Sequence, residues 1–221
     1  MTSEKKLTPR PAATLLLLRE ADAAPEVFML QRTSKAAFLP GAFVFPGGAL
    51  DPDDASERAA QRVRGLDDAQ ASVRMGLASG GLAYWIAAAR ECFEESGILL
   101  VFDSKDLPID PRRAENLEPF RNELNAGSLQ FSEFLEKEDL YIHAHDRSET
   151  VHSVWISPRE ALERGKRGEI ELIFPTRSTL SDLASIQTPR AVLEWLKGRS
   201  RCGRAGQRWI RSSRGIGTTS R

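Results

Sequence analysis

The sequence predicts an α+β domain, and three observations carry that prediction. Strand-like apolar runs gather near the start of the chain, one clear helix occupies its middle, and a strand-to-helix transition follows further on. With 221 residues there is room for one domain with additions. A content of 41% hydrophobic and 28% charged residues is close to the soluble globular average, which argues against collagen, wholesale disorder and a disulfide-stapled miniprotein.

The elements follow in order. After a polar leader over residues 1–10, the apolar runs Ala12–Arg19 and Glu26–Arg32 are separated by turn residues, the pattern of a β-hairpin. Ala42–Phe45 reads as a third strand, ended by Pro46-Gly47-Gly48. Residues 49–80 are charged and Ala-rich. Asp51-Pro52-Asp53-Asp54 opens a helical pattern there and Gly80-Gly81 closes it, so the segment is expected to be a helical insertion. A helix runs from Leu82 to about Ser96 and stops at Gly97, the residue best able to take a left-handed conformation.

Ile98–Phe102 has the look of a buried strand, and residues 112–140 of two short amphipathic helices. Only Tyr141–Ser148 stands between these and the strand expected at Thr150–Ile156, room for one short strand. Ser157, Pro158 and Glu160 form a capping box that opens a helix to about Gly165. The same grammar at Thr188-Pro189 opens another through Trp195, closed by Gly198. Residues 199–221 are rich in Arg, Ser and Gly and are expected to be a disordered tail, leaving 11–198 as the folded domain.

Seven of the 31 Lys and Arg lie in that tail, so 24 remain against 31 acidic residues before it. An acidic body disfavours a specific nucleic-acid binder and suits a protein that holds cations near anionic substrates. The longest apolar run, Ala12–Leu18, is too short to cross a membrane. Cys92 and Cys202 build no disulfide framework and fit a reducing, cytoplasmic setting, and no secretory signal is evident.

The chemistry sits in Arg90-Glu91-Cys92-Phe93-Glu94-Glu95-Ser96-Gly97-Ile98. On a helix, Glu91, Glu94 and Glu95 stand at i, i+3 and i+4, so their carboxylates share one face and repel unless something positive neutralises them. Such oxygens select hard cations, Mg²⁺ or Mn²⁺ above all. An isolated triplet of this kind is more often a solvated acidic face. Here Arg90 can pin a carboxylate, Gly97 ends the helix at once, and Pro46-Gly47-Gly48 supplies a loop whose backbone can come close to a metal or ligand.

Together these residues resemble the Nudix box, G-x5-E-x7-R-E-U-x-E-E-x-G-U, in which U is a large aliphatic residue. The helical half matches from Arg90 to Ile98, with Cys92 in a U position. If Gly48 is the box glycine, 42 positions separate it from Arg90 where the pattern has 14, an insertion of 28 residues. Gly76 has the regular spacing but would put Leu82 in the Glu position and lacks a preceding strand. Asp54 stands six after Gly48, at the place of the first box Glu. Gly41 and Phe45–Gly48 further resemble the G-x3-F-P-G-G signature of Nudix proteins related to coenzyme A diphosphohydrolases. Ala37 replaces the second Arg of that signature.

The resemblance implies an α/β/α sandwich with a mixed central sheet and a helical insertion within the box. It implies Glu91, Glu94 and Glu95 as ligands of Mg²⁺ or Mn²⁺, the Gly48 carbonyl as a further ligand, and Arg90 as the residue that orients the carboxylates. Glu149 is the first candidate for a later general base and Glu138 the second. His143, His145 and His152 are expected to be surface or strand residues. The implied reaction is attack of a metal-activated water on a diphosphate within a nucleoside-diphosphate-linked small molecule, with coenzyme A or acyl-coenzyme A in view. The competing reading is a weak or inactive module of the same fold that binds a nucleotide or a protein. The Leu- and Phe-rich 117–140 segment leaves room for a homodimer.

Overall fold

The computed structural model describes residues 10–22, 24–33, 40–143 and 154–197. The expectations for the leader, for Ala37, Glu149, His145 and His152, and for the tail therefore lie outside the described residues.

The first apolar run divides into β1 (Ala12–Thr14) and β2 (Leu18–Arg19), which join different partners. β1 pairs antiparallel with β5 (Gly47–Ala49), Ala13 opposite Gly48. β2 pairs antiparallel with β3 (Glu26–Gln31), the predicted hairpin. β3 also pairs antiparallel with β4 (Ala42–Val44) and with β8 (Val154–Ile156), and β4 runs parallel to β9 (Glu171–Leu172). The sheet is therefore mixed, as expected.

Between β5 and the long helix α3 (Gly81–Ser96) lie a 3₁₀ turn at Pro52–Ala55, α1 (Glu57–Gln61), β6 (Val63–Arg64) and α2 (Asp68–Met75). The predicted helical insertion is thus helical apart from β6, which pairs parallel with β7 (Ile142–His143). Asp67 and Gln70 form a capping box that starts α2, and Gly76 ends it in a left-handed conformation at φ 61°. That role separates Gly76 from any box function.

The region 112–140 holds three short helices rather than two: α4 (Pro111–Leu117), α5 (Phe120–Asn125) and α6 (Phe131–Lys137). Beyond β8 come α7 (Pro158–Lys166), opened by Ser157 as expected, then β9, α8 (Phe174–Leu183) and α9 (Pro189–Lys197). The sequence reading missed β9 and α8. In α8 the core-facing positions are Thr176, Thr179, Leu180 and Leu183, a helical spacing in which two threonines hide the apolar stripe.

α3 lies between two packed layers. Ile86, Ala89 and Phe93 enter a helical core with Phe131, Phe134, Leu135 and Leu140, where Phe93 stacks on Phe134 with ring centroids 5.6 Å apart. Cys92 faces the other way, into a cluster with Leu17, Phe28 and Ile98 on the sheet side. Burial pushes its thiol up to about 12, so Cys92 is an apolar packing residue. A further core under the sheet joins Val27, Met29, Phe45 and Ile156 to Leu180, Leu183 and Val192.

The expected strand Ile98–Phe102 is corrected. Only Phe102 makes ladder-type bridges, to Pro108 and Tyr141. Its side chains nevertheless alternate: Ile98 and Leu100 pack toward the sheet cluster, Leu99 and Val101 toward the helical core. The apolar run is real, but two layers of side chains cover it where a strand would need neighbouring backbone.

Candidate active site

β5 delivers the Gly47-Gly48 turn to the side of α3 that carries the acidic triplet. Gly47 has φ 148°, and a Cβ there would lie 2.2 Å from the Ala13 carbonyl oxygen, so the β1–β5 pairing admits only glycine. The Gly47 N–H donates to Glu95 Oε2 at 2.9 Å. A Cβ on Gly48 would stand 2.5 Å from Glu91 Oε1, so Gly48 lies directly against the acidic triplet.

Arg90 is buried and reaches back across the insertion to Asp54. Its Nε and Nη2 donate to the two Asp54 carboxylate oxygens, each at 3.0 Å, a bidentate pair with the Asp54 side chain fully buried. Nη2 also donates to the Ala49 carbonyl at 3.0 Å, and Nη1 meets Glu94 Oε2 and Glu91 Oε1 at 3.0 Å each. Asp54 therefore takes the place of the first box glutamate. The extra residues fall between Asp54 and Arg90, and the pair that would close the uninterrupted motif is intact.

Three carboxylates, those of Asp54, Glu91 and Glu94, crowd around this one guanidinium. Burial raises Glu91 and Glu94 above the ordinary carboxylate value, with Arg90 pulling the other way. Glu95 is the most solvent-exposed of the triplet and is also raised, by desolvation first and then by the Glu91 charge, while the Gly47 N–H opposes. For Arg90, burial would lower the value, but the bonds and charge of Asp54, followed by Glu91 and Glu94, raise it, so the guanidinium stays charged. The site has excess negative charge on oxygen donors, the chemistry that a hard divalent cation neutralises.

The carboxylates do not yet converge. Among the described residues no three His, Cys, Asp or Glu side chains form a ready metal cage, because Arg90 holds Glu91 and Glu94 and Gly47 holds Glu95. Of the expected site, the structure brings together Gly48, Arg90, Glu91, Glu94 and Glu95. Glu138 closes α6, where its carbonyl accepts from Arg113 Nη2 at 2.6 Å, with no bond to the box among the described residues. His143 pairs through its backbone with Arg64.

Sequence reasoning missed Arg121 and Asn125. Arg121 Nε donates to the Glu94 carbonyl at 2.7 Å and Nη2 to the Glu95 carbonyl at 2.8 Å, while Asn125 Nδ2 reaches the Glu94 carbonyl at 3.3 Å. Nothing in the spacing of α5 announces contacts to residues some 26 positions earlier.

A mixed sheet, a glycine turn against an acidic helix and a buried Arg–carboxylate pair are the arrangement expected from the resemblance to the Nudix box. The solved Nudix hydrolase from Alicyclobacillus acidocaldarius shares that fold at a TM-score of 0.59 and 24% identity, covering 85% of this chain and 96% of that one. No family model matches the sequence. The chain is similar to the acyl-coenzyme A diphosphatase NUDT19 of Xenopus laevis, 36% identical over 134 residues, 48% of this chain and 35% of that protein. It is also similar to the protein of the same name from Gallus gallus, 38% identical over 97 residues, 34% of this chain and 25% of that one. The matches thus span about a third or less of those relatives. The fold is thus that of a solved Nudix hydrolase, and part of the sequence is similar to proteins named acyl-coenzyme A diphosphatases.

Proposed function

We propose that this protein hydrolyses a phosphoanhydride bond in a nucleoside-diphosphate-linked small molecule, with acyl-coenzyme A as the leading substrate. The observation that carries the reading is the Glu91–Glu94–Glu95 face set against Gly47-Gly48 and anchored through Arg90 to Asp54. The named relatives and the residues Gly41 and Phe45–Gly48 support the coenzyme A branch.

In this reading Glu91, Glu94 and Glu95 hold Mg²⁺ or Mn²⁺, with the Gly48 carbonyl as a further donor. The cation supplies Lewis acidity for the diphosphate and lowers the pKa of water beside it. Arg90, fixed by Asp54 and the Ala49 carbonyl, sets the directions of Glu91 and Glu94, and the Gly47 N–H sets that of Glu95. Water adds to phosphorus, the anhydride P–O bond breaks, and the water proton passes to a carboxylate, for which Glu149 is the candidate general base.

The test is hydrolysis of coenzyme A, acyl-coenzyme A, ADP-ribose and NADH with Mg²⁺ or Mn²⁺, beside an EDTA control and Glu95→Gln. Cleavage of acyl-coenzyme A that EDTA abolishes and Glu95→Gln lowers by orders of magnitude is the expected result. Full metal-dependent activity in Glu95→Gln would show that the site is assigned wrongly. No cleavage by folded wild-type protein would leave a binding module.

A further inference from the structure

The last turn of α3 poses a problem that the box does not solve. Helix C-termini carry a negative partial charge from unpaired carbonyls, and here two of the three metal-directed glutamates, Glu94 and Glu95, lie in that turn. Their backbone carbonyls lie at the C-terminal end of the helix, where the Ile98 N–H that would follow the helical pattern bonds Ser96 Oγ instead. The Gly97 N–H serves Phe93 at 2.8 Å and leaves Glu94 and Glu95 to others.

Arg121 meets that need with a fork. Its Nε and Nη2 take the two successive carbonyls at 2.7 and 2.8 Å, and Nη1 is steadied by Glu118 at 3.2 Å. A guanidinium can bind two adjacent acceptors in fixed geometry and a lysine cannot. Asn125, one turn further along α5, adds a donor to the Glu94 carbonyl. The peptide groups that α5 grips belong to the residues whose side chains would face the cation, so a rotation of that turn moves both carboxylates.

We propose that Arg121 is a positioning residue for the metal site: from α5, outside the box, it fixes the backbone of Glu94 and Glu95 and offsets their negative charge. The inference rests on the metal reading above. Loss of partners behind a metal ligand commonly lowers affinity or activity by about 10–100-fold, and this contact belongs to that class.

The experiment measures Mn²⁺ affinity by electron paramagnetic resonance for the wild type, Arg121→Met and Arg121→Lys, with hydrogen exchange of the 95–97 amides read on the same proteins. Arg121→Met keeps the aliphatic bulk and should bind Mn²⁺ about tenfold more weakly, exchange faster at 95–97, and lose kcat rather than raise KM. Arg121→Lys keeps the charge without the fork and should fall between the two. Wild-type Mn²⁺ affinity in a folded Arg121→Met overturns the proposal. If that variant does not fold, wild-type affinity and exchange in Arg121→Lys overturn the fork. A wild type that binds no Mn²⁺ overturns the metal reading itself, and the inference with it.

Discussion

Removing the Asp54 carboxylate tests the central claim that a buried pair restores the interrupted box. In Asp54→Ala the Arg90 guanidinium loses two hydrogen bonds of 3.0 Å from a partner with no solvent exposure, and the Asp51 N–H loses its 2.7 Å bond to Asp54 Oδ2. Removing one member of a buried ion pair typically costs about 3–5 kcal/mol. Arg90 keeps Glu91, Glu94 and the Ala49 carbonyl, so the lower end applies, about 3 kcal/mol. For a domain of this size that lowers Tm by roughly 6–12 °C. Urea unfolding followed by circular dichroism measures it. The double variant Asp54→Ala/Arg90→Met removes both charges and should lose less than the sum of the single changes. A loss below about 1 kcal/mol in Asp54→Ala, or strict additivity in the double variant, would refute the buried-pair argument.

Gly48→Ala would push its Cβ to 2.5 Å from Glu91 Oε1, the far end of a flexible side chain. Stability should therefore change by no more than about 1 kcal/mol while Mn²⁺ binding falls at least tenfold, as calorimetric titration would show. Gly81→Ala differs, because its Cβ would meet backbone, Ser72 N at 2.3 Å. It should cost about 1–3 kcal/mol in urea unfolding. Glu91 and Glu94 have raised values in the folded protein, so the metal-free fold binds more protons there than the unfolded chain does. Their contribution is fully present below the unfolded value of 4.5 and is lost as pH rises through the raised values. The Tm gain from Mn²⁺, read by scanning calorimetry, should accordingly be larger at pH 8 than at pH 5, where protons compete with the ion. An equal gain at both would mean that the ion binds elsewhere.

The parts of the site that lie on one helix were legible, because the i, i+3, i+4 spacing places Glu91, Glu94 and Glu95 on a common face whatever the rest of the chain does. Asp54 was half legible: its distance from Gly48 fits the box, but only folding shows that 28 extra residues leave it against Arg90. Arg121 was not legible, since a contact between α5 and the end of α3 depends on how helices dock. Among the elements, α8 escaped because threonines occupy core positions. Ile98–Phe102 misled for the opposite reason, as alternating burial between two layers imitates a strand where, among the described residues, only Phe102 is paired through its backbone.

The insertion between Asp54 and Arg90 is accommodated here because the added chain is tied down at helix α3. Its two ends meet at the Asp54–Arg90 pair, so the extra residues leave from and return to one place, and the entropy of closing such a loop grows only slowly with length. The insertion then supplies what α3 lacks at its start. Gly80 precedes the helix without a capping side chain, and Asp68 of α2 accepts from the Gly80 N–H at 3.0 Å and the Leu82 N–H at 2.9 Å. Ser72 Oγ accepts from the Gly81 N–H at 2.9 Å. Those amide bonds hold Asp68 below its ordinary value, the mark of a carboxylate serving as a cap. Asp53, beside Asp54, accepts from the Ser132 N–H at 2.9 Å and its hydroxyl at 2.6 Å, which ties the same turn to α6. Helix α3 is thus capped at its start by the insertion and bound at its end by α5. Asp68→Ala, remote from the acidic triplet, should cost about 1 kcal/mol as a lost helix cap. If the two ends of α3 are held independently, exchange should quicken at its first turn and stay unchanged at 95–97. Faster exchange at both ends would mean that the two caps act cooperatively through the helix.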